Sequence, residues 1–262
     1  MKQLVNKLFW MVLLVGSPLL ASQEPGVDEI VARAEQAAYY AGKDGRARVE
    51  MTISDKQGGT RERAFTILRL NAGKNSQKFY VYFEEPADVR KMAYLVWKNE
   101  SGVDDRWLWM PSLNLVKRIA PGDKRTSFVG SDFVYEDVSG RALKEDKHEL
   151  VESGETHWQV KNTPLDPGSV LFSYYTVWID KQTWLPSKAE YYDKTGKLYR
   201  RVEVLKVETI QGFPTVMESR VTDLNSGSAT TNTISEVTYD LGLTDRIFSE
   251  RFLRRPPREV RQ

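Results

Sequence analysis

Residues 105–137 read DRWLWMPSLNLVKRIAPGDKRTSFVGSDFVYED, and the fold turns on how they are divided. A short apolar strand, Trp107-Leu108-Trp109-Met110, stops at Pro111, and a second, 115–119, runs to Pro121-Gly122. Then follows Ser127-Phe128-Val129-Gly130-Ser131-Asp132-Phe133, a loop with large apolar side chains among Gly, Ser and Asp. Loops are usually polar, because their backbone stays in water. One that carries two Phe and Tyr135 is expected to cover an apolar surface.

Outward from this stretch the chain alternates with period two. Candidate strands lie at 48–53, 64–70, 78–83, 92–98, 106–110 and 115–119, then at 148–152, 157–162, 173–180, 186–192, 198–208, 215–224 and 230–239. Turn sequences such as Asp193-Lys194-Thr195-Gly196 separate them. About eleven to thirteen short strands of this kind imply an antiparallel barrel or a strongly curved sheet. Only 27–39, with Val27, Ile30, Val31, Ala34 and Ala38 on one face and acids in its first turn, has the helical period, and Gly42 is placed to end it. The segment 126–147 reads as loop with a short helix. The fold class is mainly β with a little α.

Met51/Ile53, Phe65/Ile67, Phe79/Val81/Phe83, Leu95/Trp97 and Leu108/Met110 share the period-two spacing of one inward face. Tyr80, Tyr82, Tyr94, Trp107 and Trp109 make several strands apolar on both faces. The helix and the mid-chain segment are the candidate second layer, and they are too small to fill the concave side of a dozen strands. Either a ligand cavity remains or the sheet collapses into a sandwich.

The N-terminus has Lys2 and Lys7, an uncharged run from Leu8 to Val15, and small residues before Ala21 and Ser22. This is the layout of a cleaved secretory signal over 1–21, leaving 22–262 as a single exported domain. Of the 38 basic residues, two lie in that leader, so the remainder balances the 36 acidic ones. A balanced chain disfavours nucleic-acid binding. Arg251, Arg254, Arg255, Arg258 and Arg261 form the one basic excess, read either as a solvated terminus or as a contact to an acidic partner or lipid head groups. With no cysteine, thiol catalysis, disulfides, thiolate metal sites and a lipidated Cys are excluded.

Nothing in the chain demands catalysis. His148 and His157 lack metal-ligand spacing, and no phosphate loop, dinucleotide fingerprint or nucleophile elbow occurs. No cofactor or metal is expected. Acids gather at Asp104/Asp105 and at Asp132, Glu136 and Asp137, which could serve a glycoside hydrolase. Beside Arg106, Lys117 and Arg118 they read more simply as ion-paired anchors.

The motif RWLWMPSLNLVKRI followed by SFVGSDFVYED resembles the LolA-like outer-membrane lipoprotein-sorting proteins of the LolA/LolB superfamily. Trp-Leu-x-x-Pro and Gly-Ser-Asp-Phe-x-x-Glu-Asp are its specific elements, and the strand pattern extends the likeness over residues 30–252. The resemblance implies a half-open barrel of about eleven strands with helices plugging its apolar concave face. It implies carriage of lipid or lipoprotein acyl chains across the periplasm, transient membrane contact, and association with RND/MMPL-type inner-membrane transporters. Lacking a lipobox cysteine, the chain does not resemble the anchored receptor of that superfamily, and it is longer than the soluble carrier. A monomer is expected. Phe128, Phe133 and Tyr135 are read as a lid hinged at Gly130, held shut by Asp132, Glu136 or Asp137 pairing with Arg106 or Arg118. The rival readings are a periplasmic adaptor with a filled barrel and the hydrolase.

Overall fold

The computed structural model describes residues 24–73, 76–100 and 103–261. The leader and its cleavage point lie outside them.

Thirteen strands form one antiparallel sheet. The first six are β1 (Asp44–Ser54), β2 (Thr60–Gly73), β3 (Ser76–Glu85), β4 (Ala93–Lys98), β5 (Asp105–Met110) and β6 (Leu115–Arg118). The other seven are β7 (Asp146–Ser153), β8 (His157–Pro164), β9 (Phe172–Asp180), β10 (Pro186–Asp193), β11 (Leu198–Ile210), β12 (Phe213–Asp223) and β13 (Ser228–Tyr239). Their order is β6-β5-β4-β3-β2-β1-β13-β12-β11-β10-β9-β8-β7. Two meanders therefore meet along β1 and β13, and β6 and β7 remain as unjoined edges. The sheet is curved and not closed, with thirteen strands where the resemblance implies about eleven.

The two faces separate by residue parity. Val49, Met51, Phe65, Phe79, Val81, Phe83, Tyr94, Val96 and Leu108 form an inner cluster with Ile119, Phe128 and Tyr135 of the segment after β6. That segment runs from one free edge of the sheet to the other, through short 3-10 turns and a single bridge, Ser127 to Val134. It acts as a plug. Helix α1 (Val27–Tyr39) lays Ile30, Val31 and Ala34 on Trp158, Val160 and Ile179, covering the other half of the inner face. Gly140 of the plug has a φ of +75°, and a Cβ there would meet the Tyr39 ring at 2.7 Å, so only glycine lets plug and helix touch.

The outer face of the first meander is covered too. Leu68, Tyr80, Leu95, Trp107 and Trp109 pack against Ile247, Phe248, Leu253 and Val260. Tyr80 donates its hydroxyl to the Phe252 carbonyl and Trp97 its Nε1–H to the Phe248 carbonyl, both at 2.7 Å. The buried Asp44 carboxylate turns the chain onto this face by accepting from the backbone N–H groups of Leu241, Gly242 and Leu243. The reading of a solvated terminus is thereby corrected. The five arginines are exposed, but the segment bearing them is a packed cover. The same packing corrects the inward assignment of Leu95 and Trp97. β4 is apolar on both faces, and its register opposite Val81 and Phe79 turns Tyr94 and Val96 inward instead.

Candidate functional site

Between the inner face and its two covers lies a cavity of about 440 Å³. Its floor is aliphatic on both sides of the β1–β13 junction: Val49, Met51, Ile67 and Val81 on one side, Val202, Val204, Val216 and Ile234 on the other. Val31, Ala34 and Ala38 of α1 and Phe128, Phe133 and Val138 of the plug close it from above. The volume falls within the range of roughly 300–1,000 Å³ usual for small-molecule sites, which are likewise mostly apolar with a few placed polar groups.

Of the eleven residues expected to line a cavity, Met51, Phe65, Ile67 and Val81 do so. Ile53, Phe79, Phe83, Leu108 and Met110 share the inner face but pack in the cluster beneath the plug rather than along the open space. Leu95 and Trp97 lie on the outer face. The half of the lining that comes from α1 and from β9 to β13 was not singled out in the sequence. Of its strands, β11 to β13 carry isolated aliphatic residues among polar ones, a weaker signal than the aromatic runs of β3 to β5.

The loop residues come together in the plug. Phe128 is buried against Phe65, Phe83, Tyr94 and Tyr135, with ring centroids 5.4–6.4 Å apart. Tyr94 donates its hydroxyl to the Tyr135 carbonyl at 3.2 Å. Phe133 is half-buried and faces the cavity. Val129 and Gly130 both have positive φ, +50° and +77°, making the sharp turn that sends Phe128 and Phe133 to different places. Asp132 reaches β13, accepting from Ser228 Oγ at 2.5 Å and Thr230 Oγ1 at 2.7 Å.

The expected pairing of these acids with Arg106 and Arg118 is corrected. Arg106 pairs with Asp104 at 2.7 Å and meets the plug only at Ser139 Oγ, 3.4 Å away. Arg118 pairs with Asp105, its neighbour across the β5–β6 ladder. Both arginines find an acid within a strand's reach of their own backbone, which leaves the plug's acids to others. Asp137 takes Arg200 of β11 at 2.5 Å. Glu136, almost wholly buried, takes Lys124 at 2.8 Å and Arg125 at 2.7 Å, with Arg141 at 3.6 Å. Arg141 also pairs with Asp146 at 2.8 Å and Glu145 at 2.5 Å, and Tyr175 donates to Asp146 at 2.8 Å. Arg125 lies 4.8 Å from the Phe172 ring centroid. Burial alone would raise the Glu136 carboxyl, but Arg125, Lys124 and Arg141 outweigh it and hold the carboxyl below its ordinary value. A carboxylate held ionised by three cations has no proton to give as a general acid. Lys124, Arg125, Arg141 and Arg200 are the anchors that the sequence did not disclose, because Arg200 sits 63 residues from its partner.

The histidines are absorbed locally. His148 bonds Asn162 Oδ1 and the Leu143 carbonyl, and His157 lies beside Thr156 and Asp180. Among the described residues no cluster of three His, Asp or Glu is placed to hold a metal ion.

Residues 75–255 match the model of a family described as uncharacterized-protein-like. No curated protein matches in sequence. A DUF1329 family protein from Desulfovibrio piger is 29% identical, with a TM-score of 0.79 over 86% of this chain and 96% of its own. A domain from Vibrio parahaemolyticus named for outer-membrane lipoprotein sorting is 26% identical, with a TM-score of 0.78 over 87% and 96%. A LolA superfamily protein from Nitrosomonas europaea, 20% identical, shares the fold with a TM-score of 0.67 over 87% and 100%. The half-open sheet and its inner plug agree with this shared fold: the chain belongs to the family whose model matches residues 75–255, and its fold is LolA-like.

Proposed function

We propose that residues 22–262 form a single periplasmic carrier domain. It holds the acyl chains of a lipid or lipoprotein in the inner cavity and shuttles them between an inner-membrane exporter and the outer membrane. The observation that carries this reading is the cavity itself, whose strand-facing side is largely aliphatic. Each methylene buried there contributes about 0.8 kcal/mol, so a chain of a dozen or more carbons gains roughly 10 kcal/mol before ordering costs. A plug tied by ion pairs at one end and aromatic packing at the other suits a carrier that must regain its empty shape after delivery. Phe133, which faces the cavity, is the side chain positioned to compete with cargo.

The test is displacement of a fluorescent acyl probe from the purified protein, with native mass spectrometry for lipid that copurifies. Wild type is expected to bind, Val204→Trp and Val216→Trp to lose binding by filling the floor, and Phe133→Ala to bind about threefold or more tightly by enlarging the space. A wild type that binds no probe and carries no lipid would replace the carrier with an adaptor that only docks to a membrane complex. Unchanged affinity in both Trp variants would move the site elsewhere.

A further inference from the structure

We infer that the cargo bears a neutral hydrogen-bonding group on its acyl chain, an ester, amide or hydroxyl, and presents it to Ser219 and Asn232 in the cavity floor. The inference rests on the carrier reading and narrows its substrate class.

Ser219 and Asn232 interrupt the aliphatic floor near the β1–β13 junction. There β12 and β13 set Ser219 opposite Asn232, between Val204 on one side and Met51 on the other. Both polar side chains line the cavity, and neither has a hydrogen-bond partner among the described residues. The Asn232 Oδ1 is also buried. A buried amide oxygen without a partner is costly, and native proteins keep few of them. With the unpaired Ser219 hydroxyl beside it on a largely oily floor, it points to a partner that arrives from outside the chain. Tyr191 adds a third. It lines the same space, is buried, and has no hydrogen-bond partner for its hydroxyl among the described residues. Burial pushes its phenol up, so it stays a neutral donor.

The charged lining residues behave in the opposite way. Glu35 is committed to Lys98 at 2.9 Å, Asp137 to Arg200 at 2.5 Å, and Arg141 to Asp146 and Glu145. Arg141 Nη1 makes no hydrogen bond but sits 2.5 Å from the Glu145 carboxylate, and Arg200, which keeps two nitrogens without hydrogen-bond partners, is outside the lining and stands 5.0 Å from the Tyr191 ring centroid. A free carboxylate or a phosphate entering this cavity would give up its hydration with no uncommitted cation in the lining to replace it. An ester or amide asks only for a donor and an acceptor, and a hydroxyl beside a carboxamide supplies both. Charges paired and neutral groups unpaired select an acylated molecule over a free fatty acid.

The experiment uses three competitors of one chain length against a fluorescent acyl probe: a monoacylglycerol, a primary fatty amide and the free fatty acid at a pH where it is ionised. In wild type the ester and the amide are expected to bind about tenfold more tightly than the acid. In Ser219→Ala/Asn232→Leu both should weaken about tenfold while the acid changes less than about threefold. The double variant is also expected to melt no lower than wild type, since it removes unsatisfied polar groups. If it does not fold, Tyr191→Phe and Ser219→Ala singly carry the comparison. Equal affinity for all three competitors in wild type, or an equal loss of all three in the variants, overturns the inference and leaves the carrier standing. No binding of any competitor removes the carrier reading as well, and is a different result.

Discussion

Glu136 condenses the electrostatics of the plug into one side chain. Its carboxylate is about 3% exposed and faces Lys124, Arg125 and Arg141. Removing one charge from such a buried group strands the others, which typically costs about 3–5 kcal/mol. Glu136→Gln is therefore expected to lower stability by that order in urea unfolding at pH 7. The pH dependence has a definite sign. A carboxyl whose native pKa is below its unfolded value stabilises the fold fully above the unfolded value of 4.5, and loses that contribution as pH falls through the lowered native pKa. The gap between wild type and variant should hold from pH 7 to pH 5 and narrow below about pH 4. A gap independent of pH would mean that the loss is one of packing rather than of charge. At this scale the sequence was half legible. The acids of the loop stood out, but Arg200 and Arg141 are ordinary surface-type residues until the strands bring them in.

At the scale of elements, legibility followed periodicity. α1 announces itself by its 3.6-residue spacing and β1 by clean alternation, so their inner faces could be read directly. From sequence β4 reads with the wrong face inward and β5 with the right one, because residues 93–98 and 106–110 carry apolar side chains on both sides and a one-residue shift exchanges inside for outside. What decides it is the cover on the outer face, and that cover is a short four-residue helix with flanking 3-10 turns, Arg251–Arg254 at its centre. So brief an element carries no period of its own, and Asp44 recruits it from 197 residues away. Phe248 is fully buried in this cover while its carbonyl receives the Trp97 N–H. Phe248→Ala is expected to cost about 3–5 kcal/mol and to shift tryptophan emission to the red as Trp97 and Trp107 gain water. Wild-type stability with unchanged emission would show that the cover contributes nothing to the sheet.

For the molecule as a whole, the number of strands and the need for an inner filler were visible in the sequence, because turn chemistry and doubled apolar faces recur along its length. How the sheet ends was not. Pairing order is set by contacts between distant strands, and nothing local marks β6 and β7 as the two that stay unpaired. Those free ends bring a hazard of self-association, since an unpaired strand offers its backbone to any other chain. β6 meets the hazard by brevity, with four residues that include Lys117 and Arg118, closely flanked by Pro111 and Pro121. β7 is longer and exposes Leu150 and Val151, but a register break between Leu150 and Glu152 disrupts its ladder, and Glu149 and Glu152 stand exposed beside them. Glu149→Val/Glu152→Val should leave the fold intact yet raise light scattering steeply with concentration, and scattering equal to wild type would refute this account. A sheet that stays open keeps two sticky borders in water, and its edge charges are placed to hold separate copies apart.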